Sequence, residues 1–244
     1  MRDKAVSEIL GYMLILSIVV AAISMVYLKV NSMVEDTSEK FRVEGVRQSF
    51  KRILNVISIS TYGGAPLQSI QIEMQGGSFW ISNETRVVLT AGNITVDEYV
   101  GSLNYQLEDF RVTLENGAVW EEYYGYRRAI EEPRIFIHTS YVDSPAGSTK
   151  RVAVIVISKL TGNVSIAGEG SVKLIFNTTS VEVFSEEVSG NIRLNVSSPY
   201  AELWYEFFNT LPGDARLNGN WANFTVYVDR VVVAKYIVNV EAKT

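Results

Sequence analysis

Two kinds of residue in this sequence have a type and spacing that point to specific chemistry. The first is a single acid, Glu8, at the start of an apolar run. From residue 9 to residue 28 nothing carries a charge, about 20 residues, the length that spans a bilayer as a helix. A carboxylate held at the edge of hydrocarbon is expensive, so it reads as a functional group with a partner. The second is the sequon Asn-x-Ser/Thr, found at Asn83, Asn93, Asn163, Asn177, Asn195 and Asn223. One sequon arises easily by chance. Several, all beyond the apolar run, point to an extracellular glycoprotein whose glycans project from turns or outer strand faces. At any one position the alternative is an ordinary polar surface.

Catalytic chemistry finds little to work with. The chain has no Gly-x-Ser-x-Gly, no phosphate-binding loop and no His-Glu-x-x-His. Its one histidine, His138, follows Ile135-Phe136-Ile137, which places it at a strand end, on the surface or at a sheet edge. Cysteine is absent, which excludes disulfides, thiolate metal sites, iron–sulfur clusters and covalently attached haem. Residues 213–220 carry oxygen ligands but lack the Asp-x-Asp spacing and closing Glu of a calcium loop. Trp120, Tyr123, Tyr124 and Tyr126 suit core packing, hairpin packing or subunit contact better than a carbohydrate-binding face. A net charge of -5 argues against nucleic acid, whose binding draws on clustered Lys and Arg. The expectation is a chain that is not an enzyme and takes no cofactor or metal.

The elements that carry these residues follow from periodicity. Arg2 and Lys4 precede the apolar run, so the N-terminus is expected on the cytoplasmic side. Past the run, Phe41, Val43, Val46, Phe50, Ile53, Leu54 and Ile57 recur at helical spacing, with charged residues between them. No proline interrupts residues 5–57, so the pattern predicts one helix of about 53 residues, about 80 Å long, apolar all round at first and amphipathic later. Gly63, Gly64 and Pro66 end it. Alternating runs follow at 70–74, 112–114 and 192–196, and Asn116-Gly117 is a hairpin signal between two of them. Residues 152–157 are apolar throughout, which predicts a central strand buried on both faces. A short helix is expected over 199–211, capped by Ser198 and ended by Gly213, and then two strands over 223–228 and 231–240. Many short strands predict a sandwich or barrel. Two small β-modules joined near 141–148 are the second choice. Residues 59–244 are expected to fold without the helix.

The opening of the chain resembles the class III signal of type IV pilins: a short basic leader, a small residue, a polar start with Glu, then an apolar helix. The archaeal branch is the closer match, since Ala5-Val6-Ser7-Glu8-Ile9-Leu10-Gly11 has its Ala-Val-Ser-x-Ile-x-Gly shape. The resemblance covers residues 1–30, and the rest only in layout. In that family a prepilin peptidase removes the leader, which implies a cut between Ala5 and Val6 or, alternatively, after Lys4. Bacterial members carry their Glu at the fifth mature position, whereas Glu8 stands third or fourth, so the bond stays open between the two.

The resemblance further implies that the helix leaves the membrane for the core of a helical filament, with Glu8 against the amino terminus of an adjacent subunit. The implied partners are other copies of the chain, the peptidase and assembly machinery, and the membrane before assembly. Archaeal relatives of this kind carry an immunoglobulin-like sandwich. The expected fold is therefore α+β: a leader over 1–5, a long N-terminal helix over 6–58, and an elaborated antiparallel β-sandwich, extracellular and glycosylated, over 59–244. The runner-up is a membrane-anchored surface module, minor-pilin-like or archaellum-stator-like, that does not polymerise. A secretory signal cut after Val20-Ala21-Ala22 is a weaker reading, because the apolar run continues past it.

Overall fold

The computed structural model describes the backbone of residues 2–141 and 149–243, and side chains from residue 11 onward except at 32, 35, 36, 140 and 141. The chain forms two compact units, Met1–Gly45 and Val46–Thr244. Helix α1, Arg2–Tyr62, begins in the first and ends in the second.

In the first unit, Gly11–Asn31 is apolar enough to cross a bilayer, with a mean hydropathy of 2.3, and none of it is buried. Ser17 and Ser24 do not break this character. Each donates its hydroxyl to the carbonyl four residues back, at 2.8 Å, so no polar hydrogen is left to solvent or lipid.

The second unit starts with the amphipathic end of α1. Val46, Phe50, Ile53, Leu54 and Ile57 are buried, at the spacing that marks one helix face. The helix stops at Tyr62, a little beyond the expected end. Gly63 donates its N–H to the Ile59 carbonyl at 2.9 Å, and a Cβ there would meet that oxygen at 2.7 Å. Gly64 then takes the left-handed conformation, with φ 70°, that closes helices.

The rest is two sheets. The strands are β1 Leu67–Glu73, β2 Ser78–Ser82, β3 Arg86–Ala91, β4 Ile94–Tyr99, β5 Ser102–Leu107, β6 Phe110–Glu115 and β7 Ala118–Tyr123. They continue with β8 Tyr126–Glu131, β9 Ile135–Tyr141, β10 Thr149–Thr161, β11 Ser165–Ala167, β12 Ser171–Ser197, β13 Asp214–Asn218 and β14 Trp221–Lys243. An eight-stranded sheet runs β4-β3-β12-β14-β10-β9, with β1 on the first part of β12 and β13 on the first part of β14. A six-stranded sheet runs β11-β2-β5-β6-β7-β8. The fold is an apolar N-terminal helix followed by a β-rich domain of two sheets.

Several expectations hold. Asn116 and Gly117, with φ 45° and 79°, make the two-residue turn between β6 and β7, as the primed hairpin turn requires. β10 lies between β14 and β9, and Ala153, Ile155, Val156 and Ile157 are all buried. Other expectations need correction. The two final strands are one, β14, of 23 residues, paired to a 27-residue β12. Nothing in Asp229-Arg230 forces a turn, and register shifts at Thr178/Ser180 and Glu187/Gly190 absorb the irregularity instead. The first sheet is mixed, because β10 runs parallel to β14. Parallel neighbours need a long crossover, here the whole excursion through β11, β12 and β13. Two separate modules are also excluded, since β3 pairs with β12 and β2 with β11, on opposite sides of the supposed join. Residues 142–148 of that join lie outside the described residues.

The second helix, α2, is Ala201–Thr210. Ser198 does not cap it: Tyr200 occupies the cap position without a side-chain bond, and Leu211, not Gly213, ends the helix. Leu203, Trp204, Phe207 and Phe208 are buried against the first sheet, with Phe208 stacked on Phe224 at 5.1 Å. Aromatic pairs of this kind add to plain area burial.

Candidate functional site

The residues that the sequence singles out fall in two places. Lys4, Ala5, Val6 and Glu8 lie in α1, and their side chains are outside the described residues. Beyond them, every residue from Gly11 to Asn31 is exposed. An ordinary amphipathic helix hides one stripe; this one hides none, so its whole circumference is available to lipid or to other helices. Gly11 has no neighbour within 4 Å of where a Cβ would stand, so packing within the chain does not require a glycine there. Small residues at Gly11, Ala21, Ala22 and Ser24 permit close approach of another helix.

The sequon asparagines separate by accessibility. Asn83 lies between β2 and β3, Asn163 between β10 and β11, and both are exposed. The backbone bond from Ile81 to Val164, 3.0 Å, brings their loops to one end of the second sheet. Asn93, exposed in the β3–β4 turn, donates its side-chain amide to Glu186 at 2.8 Å. Asn177 is exposed on β12. Asn195 and Asn223 are half-buried and face one another across β12 and β14.

The aromatic group does not form one face. Trp120 is buried in the core against Trp204 at 5.7 Å, while Tyr124 and Tyr126 are exposed at the β7–β8 turn. His138 is exposed on the edge strand β9, its ring stacked on Phe136 at 6.2 Å. Residues 213–220 form β13 and its turn into β14.

Sequence reading missed three polar hubs. Glu115 is fully buried, and one carboxylate oxygen accepts from the Trp120 and Trp204 indoles, at 2.8 and 2.7 Å, and from Ser198 at 2.7 Å. Thr85 donates to its other oxygen. Burying a carboxylate is tolerable only with such a set of donors. The hub ties together β6, β7, α2 and two loops. Glu121, also buried, takes Arg47 in a two-pronged pair and Arg128 at 2.8 Å, which fixes the last part of α1 to the second sheet. Glu98 accepts from Lys159 and Lys235, both at 2.6 Å, and these bonds hold its carboxyl below the usual carboxylate range. Nothing in local pattern marks any of the three, because each is an acid on a strand that depends on at least one partner far away in sequence: Trp204 and Ser198 for Glu115, Arg47 for Glu121, Lys159 and Lys235 for Glu98. Burial also pushes the Tyr62 and Tyr200 phenols up.

A family of unknown function, DUF7289, matches residues 4–241. The chain belongs to this family. The matched residues take in α1 from its first turn and nearly all of the β-rich domain. A protein of Archaeoglobus fulgidus, described as uncharacterized, is 29% identical over 259 residues, covering 84% of this chain and 83% of its own length. No solved structure matches the chain.

Proposed function

We propose that this member of the DUF7289 family is the structural subunit of an archaeal type IV pilus-like filament at the cell surface, without catalytic activity. The observation that carries the reading is the helix Gly11–Asn31, apolar and exposed around its whole circumference, at the head of a β-rich domain. A helix of this kind needs either lipid or other helices around it, and transfer between the two environments costs little. The archaeal pilin-like opening at residues 5–11 and the match to an archaeal protein support the assignment. In this reading prepilin peptidase cuts beside Ala5, and Glu8 meets the new amino terminus of a neighbouring subunit. The domain after α1, an elaborated sandwich, forms the glycosylated outer sheath.

The second reading is a membrane-anchored surface module that does not polymerise; the same helix is long enough to serve as an anchor. Glu8→Gln separates the two. An anchor tolerates the change. In a filament it strands the neighbour's amine, and losing one member of a buried pair costs roughly 3–5 kcal/mol. The filamentous fraction falls sharply while cleavage and membrane insertion continue. An unchanged ratio of filamentous to membrane-bound protein overturns the role given to Glu8.

A further inference from the structure

Strands β10 and β14, the parallel pair of the first sheet, are apolar without alternation over 152–157 and 231–234. Such runs mark strands buried on both faces. One face meets that demand: Ala153, Ile155, Val231 and Val233 are no more than 1% exposed. The other face is covered only in part. Residues paired across a ladder share a face, so the register sets out its rows. Tyr236 and Val181 form the first, Ala234 and Val183 the second, and Val232, Val154 and Phe136 the third. The end of α1 lies over the first row, where Tyr62 packs edge-on against Tyr236 at 5.1 Å. Away from Tyr62 the cover stops. Val181, Val183 and Phe136 are 54%, 62% and 46% exposed, and Val154, Val232 and Ala234 are only half-buried. Contiguous apolar surface of this kind on a folded domain marks a contact surface.

What the open rows lack is a second helix beside α1. Because α1 covers the adjoining row, a helix laid next to it completes one layer over the sheet, with the half-exposed Tyr62 as its side wall. The open rows cross four strands, about 14 Å from β12 to β9 at sheet spacing, the length of roughly ten helical residues. The charges bordering them are paired among themselves, Arg230 on Ser185 at 2.8 Å and Lys150 on Glu187 at 3.1 Å. The face therefore asks for an apolar partner, not a charged one. The chain supplies such a helix: Gly11–Asn31 has 21 residues, is apolar and is nowhere buried. Helix α1 has no break between Arg2 and Tyr62 at which it could fold back, so the helix that fits comes from another copy.

We propose that the helix Gly11–Asn31 of a second copy of this chain seats on the open face of the first sheet, beside Tyr62 and over Val183, Val232 and Phe136. Burial of apolar surface on both sides supplies the affinity. Helix and sheet face are different surfaces, so the contact is head-to-tail and repeats from copy to copy. The inference rests on the filament reading and deepens it: each apolar helix is gripped by a neighbour's β-domain as well as by other helices.

The chain has no cysteine, so introduced thiols report alone. Full-length Val183→Cys is produced in one cell with a differently tagged full-length copy carrying Ile18→Cys, Val19→Cys, Val20→Cys, Ala21→Cys or Ala22→Cys. These consecutive positions sample the whole circumference of the helix. A short, membrane-permeant thiol-to-thiol cross-linker is then added. The expected result is a mixed dimer at the positions on one side of the helix only. It is lost when Val181→Glu, a change at an exposed position that leaves the urea midpoint as it was, is added to the Val183→Cys copy. Equal yield at every position, survival of the dimer with Val181→Glu, or no mixed dimer in preparations that electron microscopy shows to be filamentous overturns the proposal and leaves the filament reading intact. Cross-linking of Val183→Cys only to itself overturns it in favour of face-to-face pairing. Labelling of the Val183→Cys thiol by a bilayer-confined reagent, in place of the mixed dimer, overturns it in favour of a lipid cover. The one-sided mixed dimer without filaments supports the contact and overturns the filament. Neither dimer nor filament overturns both.

Discussion

Removing the helix at residue 59, where a purely sequence-based boundary puts it, removes part of the core of the β-domain. Val46, Phe50, Ile53, Leu54 and Ile57 are each no more than 7% exposed. Full burial of an aliphatic or aromatic side chain contributes about 1.5–3 kcal/mol, so these residues together contribute roughly 7–15 kcal/mol. That matches the whole stability of a typical domain, about 5–15 kcal/mol. The cut also takes Arg47 from buried Glu121 and the Phe50 ring from Phe79, on which it stacks at 5.9 Å. Residues 46–244 therefore fold to a monomer with a cooperative urea transition, whereas residues 59–244 do not. Near-ultraviolet circular dichroism and urea titration of the two fragments decide it. Equal midpoints refute the claim that the end of α1 belongs to the domain's core.

Replacing Glu115 by Ala strands two buried indole N–H groups, at about 1–3 kcal/mol each, so the domain loses roughly 2–6 kcal/mol; a urea midpoint unchanged from the parent contradicts the hub. The Glu98 carboxyl, depressed by Lys159 and Lys235, stabilises the fold above the ordinary Glu value near pH 4.3, and that stability disappears as pH falls through its lower folded value. Carboxyl titration followed by NMR checks this: the Lys159→Met, Lys235→Met double variant returns Glu98 towards the ordinary range, and an unmoved titration contradicts the assignment. Glycopeptide mass spectrometry finds hexose-bearing peptides at exposed Asn83 and Asn163 in higher occupancy than at half-buried Asn195 and Asn223. The reverse order contradicts the reading of accessibility.

What could be read from the chain alone was whatever has a short period or a local signature. The spacing of Phe50, Ile53, Leu54 and Ile57 announced a buried helix face, and Asn116-Gly117 announced a turn with positive φ at both residues. The exposed character of Gly11–Asn31 followed from the length of its apolar run, uncharged as far as Leu28. Strand length was not legible, because β12 and β14 pass through Gly190 and Asp229 without stopping, carried by pairing on a long partner that no local window contains. The parallel pairing of β10 and β14 was hidden for the same reason. Ser198 looked like a helix cap by type and position, yet its hydroxyl donates to Glu115, a partner distant in sequence. The burial of Glu115 and Glu121 has no local signature, since only tertiary structure brings the Trp204 indole to the one and the Arg47 guanidinium to the other.

The central claim is that the exposed apolar helix is kept and used for assembly. Electron microscopy of material sheared from producing cells, with mass spectrometry of the chain's N-terminus in that material, tests it most directly. The account predicts filaments built from this chain, beginning at Ala5 or Val6 and retaining Gly11–Asn31. A chain that starts after Ala22, or that stays in the membrane fraction without filaments, contradicts it.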